Sequence, residues 1–272
     1  MSTNGFDEDA LAEAYNRGLE LEKAGRNEEA AVCYRQALKL DPADHGGAAV
    51  RLAAMGLGEV PDKAPDAYVM TLFDQHAEVF DSVLVDQLGY SVPAMLAELL
   101  PALLPEGVQR LLDLGCGTGL VGEALYEMVD HATGVDLAEK MIELADEREA
   151  YDELYVAEVV HFLEENEELA FDLIVAADVL PYMGRLESFF AGVAKNASAG
   201  ALTAFSSETL PGAVLGGRDF MVGPNQRFAH ALDYIDRLLV ENGFERLIAE
   251  PITVRREQDQ PVPGHLVVAR KL

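Results

Sequence analysis

Residues 111–122 read LLDLGCGTGLVG, an apolar strand that breaks into closely spaced glycines and then turns apolar again. Glycine permits a tight turn and a close backbone approach to a ligand, and a helix that follows offers unpaired N–H groups and the positive end of its dipole. Two registers share these residues. Counted from Gly117, GTGLVG fits the dinucleotide pattern G-x-G-x-x-G, and Asp136 lies about 20 residues on, where that pattern needs a ribose carboxylate. Counted from Gly115, the stretch reads D-x-G-C-G-T-G, with Asp113 two residues before the first glycine. The dinucleotide register puts Asp113 and Gly115 where its strand needs apolar side chains, which favours the second.

The second register resembles the first motif of class I S-adenosylmethionine (SAM) dependent methyltransferases, and the segments that follow extend the likeness over residues 70–272. The resemblance implies that Asp113 and the backbone of Gly115, Gly117 and Gly119 hold the methionyl end of SAM, with Cys116 a small residue packed beneath the cofactor. In HATGVDLA, Asp136 ends a second short strand, where the family's acid takes both ribose hydroxyls, with Leu137 beside it. In LYVAEVVHFL, Glu158 and Val159 fall where the family meets the adenine, although Glu replaces the commoner Asp. FDLIVAADVLPY is a fourth apolar strand ending at Asp178, which faces the site. No residue is assigned to a metal.

From Val108 onward strands and helices alternate, which predicts a doubly wound, mostly parallel α/β sheet with helices on both faces. GALTAFSSE is the fifth strand and AHALDYIDRLLVENGF a helix. RLIAEPITVR and HLVVARKL, joined by a short polar turn, should pair antiparallel. The resemblance implies seven strands with the last inserted antiparallel, an ending a dinucleotide dehydrogenase would not need.

Ahead of this body, residues 8–42 carry a helix pair, with Ala30, Tyr34 and Ala37 on one face and Gly25 at the turn. AAVCYRQALKLDP resembles the end of a tetratricopeptide repeat, with Ala14, Gly18 and Leu21 as packing positions of its first helix. A single repeat cannot bury its own apolar face, so it should lean on the body, a second copy or another protein. The expected division is a helical module at 1–60, a linker and helical lid at 61–107 with the linker at 59–66, and the SAM-binding body at 108–272. The lid contains an F-D-x-x-A-x-x-[FY]-D segment like that of many small-molecule methyltransferases, which makes Phe73, His76 and Phe80 candidates to line it, Phe73 and His76 on the substrate side. Ordinary helix packing is the competing reading for the phenylalanines, and core or surface packing for His76.

Two further segments are candidates for the acceptor. Tyr182, in D-V-L-P-Y, offers a ring or a hydroxyl, or is merely packed. The long connection SSETLPGAVLGGRDFMVGPNQRFAH has a hairpin pattern around GPNQ and carries Arg218, Arg227 and His230. These are rare positive or titratable groups in an acidic chain, suited to an acidic substrate group or, for His230, to a general base. Against that, His230 could simply begin a helix and the arginines pair with surface carboxylates.

The 272-residue chain has 48 Asp and Glu against 20 Lys and Arg, a net charge of −28. Nucleic-acid binding draws on Lys and Arg that displace counterions, so a nucleic-acid acceptor is not expected. No apolar run reaches membrane-spanning length and the opening MSTNGFDEDA is acidic where a secretion signal is basic, so the expectation is a soluble cytoplasmic protein with Cys33 and Cys116 reduced. The resulting expectation is SAM-dependent methyl transfer to a small-molecule, carrier-borne or protein-borne acceptor. The alternative is a catalytically silent SAM-binding adaptor that acts through the helical module.

Overall fold

The computed structural model describes residues 8–167 and 169–272, so residues 1–7 of the acidic opening and of the 1–60 module lie outside the described residues. The chain opens on α1 (Glu8–Lys23), α2 (Asn27–Leu40) and α3 (Ala48–Ala54). Tyr34, fully buried, lies so close to Gly18 that a Cβ there would meet its ring at 2.7 Å. That contact sets the approach of α1 to α2.

The apolar side of α3 does not face solvent. Val50 and Ala53 pack with Ala64, Val222 and Phe228, all in the rest of the chain. Here the module finds the cover that a lone repeat requires, with no second chain called for on that face. The segment expected as a linker is bound down too: Asp62 O accepts from Gly184 N and Arg185 N, and Ala64 N donates to Tyr182 O at 2.8 Å.

The lid region consists of α4 (Asp66–His76), a 3₁₀ turn (Ala77–Val79), a π-type turn (Ser82–Gln87) and α5 (Val92–Leu103). The body then alternates β1 (Leu111–Leu114), α6 (Leu120–Leu125), β2 (Ala132–Asp136), α7 (Glu139–Glu147), β3 (Glu153–Val156), α8 (Val159–Glu165), β4 (Phe171–Ala176), α9 (Glu187–Asn196) and β5 (Ala197–Glu208). After a single-turn helix, α10 (Gly212–Leu215), come the hairpin strands β6 (Phe220–Val222) and β7 (Phe228–His230), then α11 (Leu232–Glu241), β8 (Phe244–Glu257) and β9 (Gln260–Lys271).

The seven-stranded sheet has the order β3-β2-β1-β4-β5-β9-β8. Strands β1 to β5 are parallel, whereas β9 lies antiparallel between β5 and β8, as the ending of the sequence predicted. Two apolar layers cover the faces. One centres on Phe171, Phe190, Phe205 and Tyr234, the other on Leu96, Leu111, Leu173 and Val268. Strand order reverses at β1, so the loops after β1 and β4 part toward opposite sides and leave a crevice at the carboxyl edge of the sheet.

His230 does not begin α11; it ends β7, paired with Phe220, and the helix starts two residues later. The hairpin carries Phe228 from the body to α3. Phe228→Ala should therefore cost about 3–5 kcal/mol, as for other buried aromatic truncations. Val32→Ala, on an exposed face of α2, should stay within about 0.5 kcal/mol. Denaturant midpoints compare the two; equal small losses would mean that α3 is not docked on the hairpin.

Candidate functional site

The crevice is a cleft of about 950 Å³, partly open to solvent, between the ends of β1, β2 and β4 and the lid. Its floor is the loop after β1. Gly115, Gly117 and Gly119 have φ of +66°, +55° and +92°, a region that strains any other residue. A Cβ on Gly115 would run into Val179 at 2.4 Å, whereas one on Gly117 would meet only Phe80, at 3.9 Å, and stand in the cleft. The Gly117 N–H donates to Asp136 Oδ2 and the Ala138 N–H to Asp136 Oδ1, both at 2.9 Å. One carboxylate thus ties the end of β2 to the loop after β1, and each oxygen keeps a further lone pair for the cleft. Burial pushes the Asp136 carboxyl upward, opposed by the backbone donors.

Gly115, Cys116, Gly117, Asp136, Leu137, Glu158, Val159 and Asp178, expected at the cofactor, all line this cleft, as do Phe73 and Tyr182. Cys116 is buried beneath the loop, and its thiol is pushed well above its usual range by that burial and by Asp113 and Asp136. Glu158 caps α8 by accepting from the His161 N–H at 2.8 Å, and Lys63 Nζ stands 3.5 Å from its other oxygen.

Other expected residues are not at the cleft surface. Asp113 is fully buried behind the loop: Tyr151 OH donates to its Oδ2 at 2.6 Å, and its Oδ1 has no hydrogen-bond partner. The same tyrosine accepts from the Gly122 N–H. Gly119 turns away from the cleft, its missing Cβ aimed at Arg148 and Tyr151. His76 is on the solvent side of α4, bonded to Leu72 O. Arg218 is spent on the carbonyls of Val214 and Leu215. His230, read as a general base, is fully buried, bonded through Nε2 to Gly184 O and stacked on Tyr234. Burial holds its pKa down at about 4, and it lines no part of the cleft. For His76, Arg218 and His230 the reason is common: each side chain satisfies a local backbone group or a core contact instead of reaching the crevice.

The lid is fastened by the two acids of its F-D-x-x-A-x-x-[FY]-D segment. Asp74 accepts from the Lys140 N–H at the start of α7, and Asp81 takes the Thr118 hydroxyl and the Arg148 guanidinium, which also reaches Thr118 O and Glu123. Phe73 and Phe80 are thereby held over the glycine loop, with Phe73 edge-on to Tyr182 at 5.3 Å.

At the β4 end lies a charge cluster that the sequence did not reveal as a unit. Asp178 has φ +60° and its N–H donates to Ser206 Oγ, while its carboxylate faces Arg227 at 3.2 Å and Arg255 at 3.3 Å. Arg255, 1% exposed, also meets Glu208 at 2.7 Å and Glu257 at 2.6 Å. Arg227 lies over the Tyr182 ring, 4.9 Å from its centroid. Tyr90 also lines the cleft, and its phenol is pushed up by burial and by Asp178. Only Arg227 and Asp178 carried a sequence signal; Arg255 sits within an ordinary-looking strand, with Glu257 two residues on, and its other partners, Asp178 and Glu208, lie far off in the chain.

A family described as a methyltransferase domain matches residues 112–203, and one described as a tetratricopeptide repeat matches residues 14–44. A ubiquinone biosynthesis O-methyltransferase of Maricaulis maris is 32% identical over 96 residues, 34% of this chain and 38% of that protein. An 18S rRNA (guanine-N(7))-methyltransferase of Arabidopsis thaliana is 46% identical over 59 residues, 21% of this chain and 20% of that protein. The match thus spans well under half of these relatives' length. Among solved structures, the 1,6-didemethyltoxoflavin-N1-methyltransferase of Burkholderia thailandensis superposes with a TM-score of 0.58 at 19% identity, covering 78% of this chain and 92% of that one. The (4+2) cyclase SpnF does so with 0.60 at 16% identity, covering 78% and 98%. The fold is the Rossmann-like methyltransferase fold.

Asp113 generates a test of the floor. Burial pushes its pKa up to about 7, against the Tyr151 hydrogen bond and with Asp136 adding to the rise. In the unfolded chain it ionises near pH 4, so between about 4 and 7 the folded state keeps a proton that the unfolded state has lost, and stability falls as pH rises. Asp113→Asn should remove that decline, up to roughly 1.4 kcal/mol per pH unit. Denaturant midpoints from pH 4.5 to 8 measure it; parallel curves for the two proteins would contradict a raised Asp113.

Proposed function

We propose that this chain is a SAM-dependent methyltransferase that acts on a small-molecule acceptor. The observation that carries the reading is the glycine loop bound to Asp136: an open cradle that a side chain at Gly117 would fill, beside a carboxylate with lone pairs to spare. That donor set fits SAM, and the matches of residues 112–203 to a methyltransferase domain support the same ligand. The backbone at Gly115 and Gly117 is assigned to the methionyl portion, Asp136 with Leu137 to the ribose, and Glu158 with Val159 to the adenine. Asp113 and Gly119 act from behind, holding the loop rather than touching the ligand. Tyr151 connects them, bonded to Asp113 and packed on Gly119.

When bound, SAM supplies an electrophilic methyl on a sulfonium whose leaving group is a neutral thioether. The protein's task is then chiefly positional, and orientation alone contributes about 7–11 kcal/mol to such reactions. Phe73, Phe80 and the lid, clamped by Asp74 and Asp81, exclude water from the reacting end. His230 has no part in this assignment, because it is buried among Phe220, Tyr234 and the backbone.

The net charge of −28 favours an acceptor other than nucleic acid. Among the described residues no helix is long and apolar enough to cross a membrane. Asp136→Ala removes a charged acceptor of ribose hydroxyls, a bond worth about 1.5–3 kcal/mol. SAM and S-adenosylhomocysteine (SAH) share that ribose, so calorimetry should find both weakened by the same factor, about 10- to 100-fold; unchanged affinity in the folded variant would reject the ribose assignment. The acceptor class is tested by incubating cell extract and methyl-tritiated SAM with the protein. Label should enter the small-molecule fraction, and label confined to RNA would refute that class.

A further inference from the structure

A second cavity, of about 840 Å³, opens between the tips of the β6–β7 and β8–β9 hairpins. Its polar wall is Glu208, Arg227 and Glu257; Leu210, Val262 and Pro263 give it an apolar side. Gln226 at one tip, and Gln258 with Asp259 at the other, have φ between +49° and +61°, so both rims are tight turns of defined shape. The Asp178–Arg227 pair divides this cavity from the first cleft: Asp178 lines the cleft, and Arg227, 3.2 Å away, lines the second cavity.

The charges around this partition do not balance. Among the described residues, the carboxyls of Asp178, Glu208 and Glu257 face the cations of Arg227 and Arg255 alone, one formal positive charge short, and burial pushes the Glu208 carboxyl upward against the pull of both arginines. Glu208 is 5% exposed, and its Oε1 is close to Arg255 Nη2 but off the line that a hydrogen bond needs, so neither atom has a satisfied bond. The Tyr182 hydroxyl, against the partition, has no partner either. An uncompensated buried charge is costly, and a cationic ligand relieves it. A metal ion does not suit the cluster, since among the described residues no three His, Cys, Asp or Glu side chains converge closely enough to hold one. A carboxylate ligand would add a second uncompensated negative charge.

Resting on the first cleft as the SAM site, we propose that the second cavity is the acceptor site and that the acceptor is a small amine, bound as its ammonium against Glu208 and Glu257. The chain's overall negative charge draws such cations toward it. The ammonium competes with Arg227 for Asp178 and so opens the partition toward the cleft. The ammonium first gives a proton to the cluster carboxylates, which pass it to water. The freed nitrogen lone pair then forms the bond to the methyl carbon as the carbon–sulfur bond breaks and its electron pair stays on sulfur.

Matched probes test this: phenethylamine against 3-phenylpropionate, and cadaverine against glutarate, titrated calorimetrically into the full chain with and without SAH. The amines should bind and the acids should not. Glu257→Gln, at the more exposed end of the cluster, should weaken amine binding about tenfold with SAH affinity unchanged, and Glu208→Gln should do the same. Preference for the acids, no binding by any probe, or amine binding indifferent to both variants would overturn the proposal. A chain that binds amines but not SAH would uphold the amine site and sink the cofactor reading of the first cleft.

Discussion

The hydrogen bond from the Gly117 N–H to Asp136 Oδ2 is the contact on which the site depends. It joins the loop after β1 to the end of β2 at the point where the sheet reverses its winding, and it can form only because the loop turns through left-handed glycines. Behind it, Tyr151 binds Asp113 and the Gly122 N–H together, so the floor is braced from the core side as well. From above, Asp81 reaches Thr118 in the same loop. Lid, floor and the Asp136 carboxylate therefore share one short segment of backbone.

Much of this was legible in the sequence because it is local. Strand periodicity, the glycine spacing and acids at strand ends lie within a few residues of one another, and they marked the parallel strands, the antiparallel ending and the cleft-lining set from Gly115 to Asp178. The charge cluster beside the cleft was less legible because it is assembled from distant segments. Arg255 lies in β8 and meets Asp178 after β4 and Glu208 at the end of β5, pairings that no spacing reveals. His230 misled because a histidine ahead of a helix looks available, whereas cross-strand pairing with Phe220 and stacking on Tyr234 turn it into the core. Asp113 was found, but not its place behind the floor; burial of a strand residue depends on what the neighbouring loop does, here on Tyr151.

The helical module follows the same logic. Its internal packing, Gly18 against Tyr34, is local and was expected. Its attachment through Val50 and Ala53 to Phe228 joins residues nearly the length of the domain apart. The β6–β7 hairpin thus has two neighbours: one side supports α3, and Arg227 on its second strand approach closes the partition between the two cavities. Module and second cavity are thus joined through one hairpin.

The central claim is that the glycine cleft holds SAM, and a crystal structure of the chain grown with SAH tests it most directly. The account predicts density along Gly115 and Gly117, with both ribose hydroxyls on Asp136 and the adenine beside Glu158 and Val159. Density for SAH elsewhere, or a ribose that makes no contact with Asp136, would contradict it.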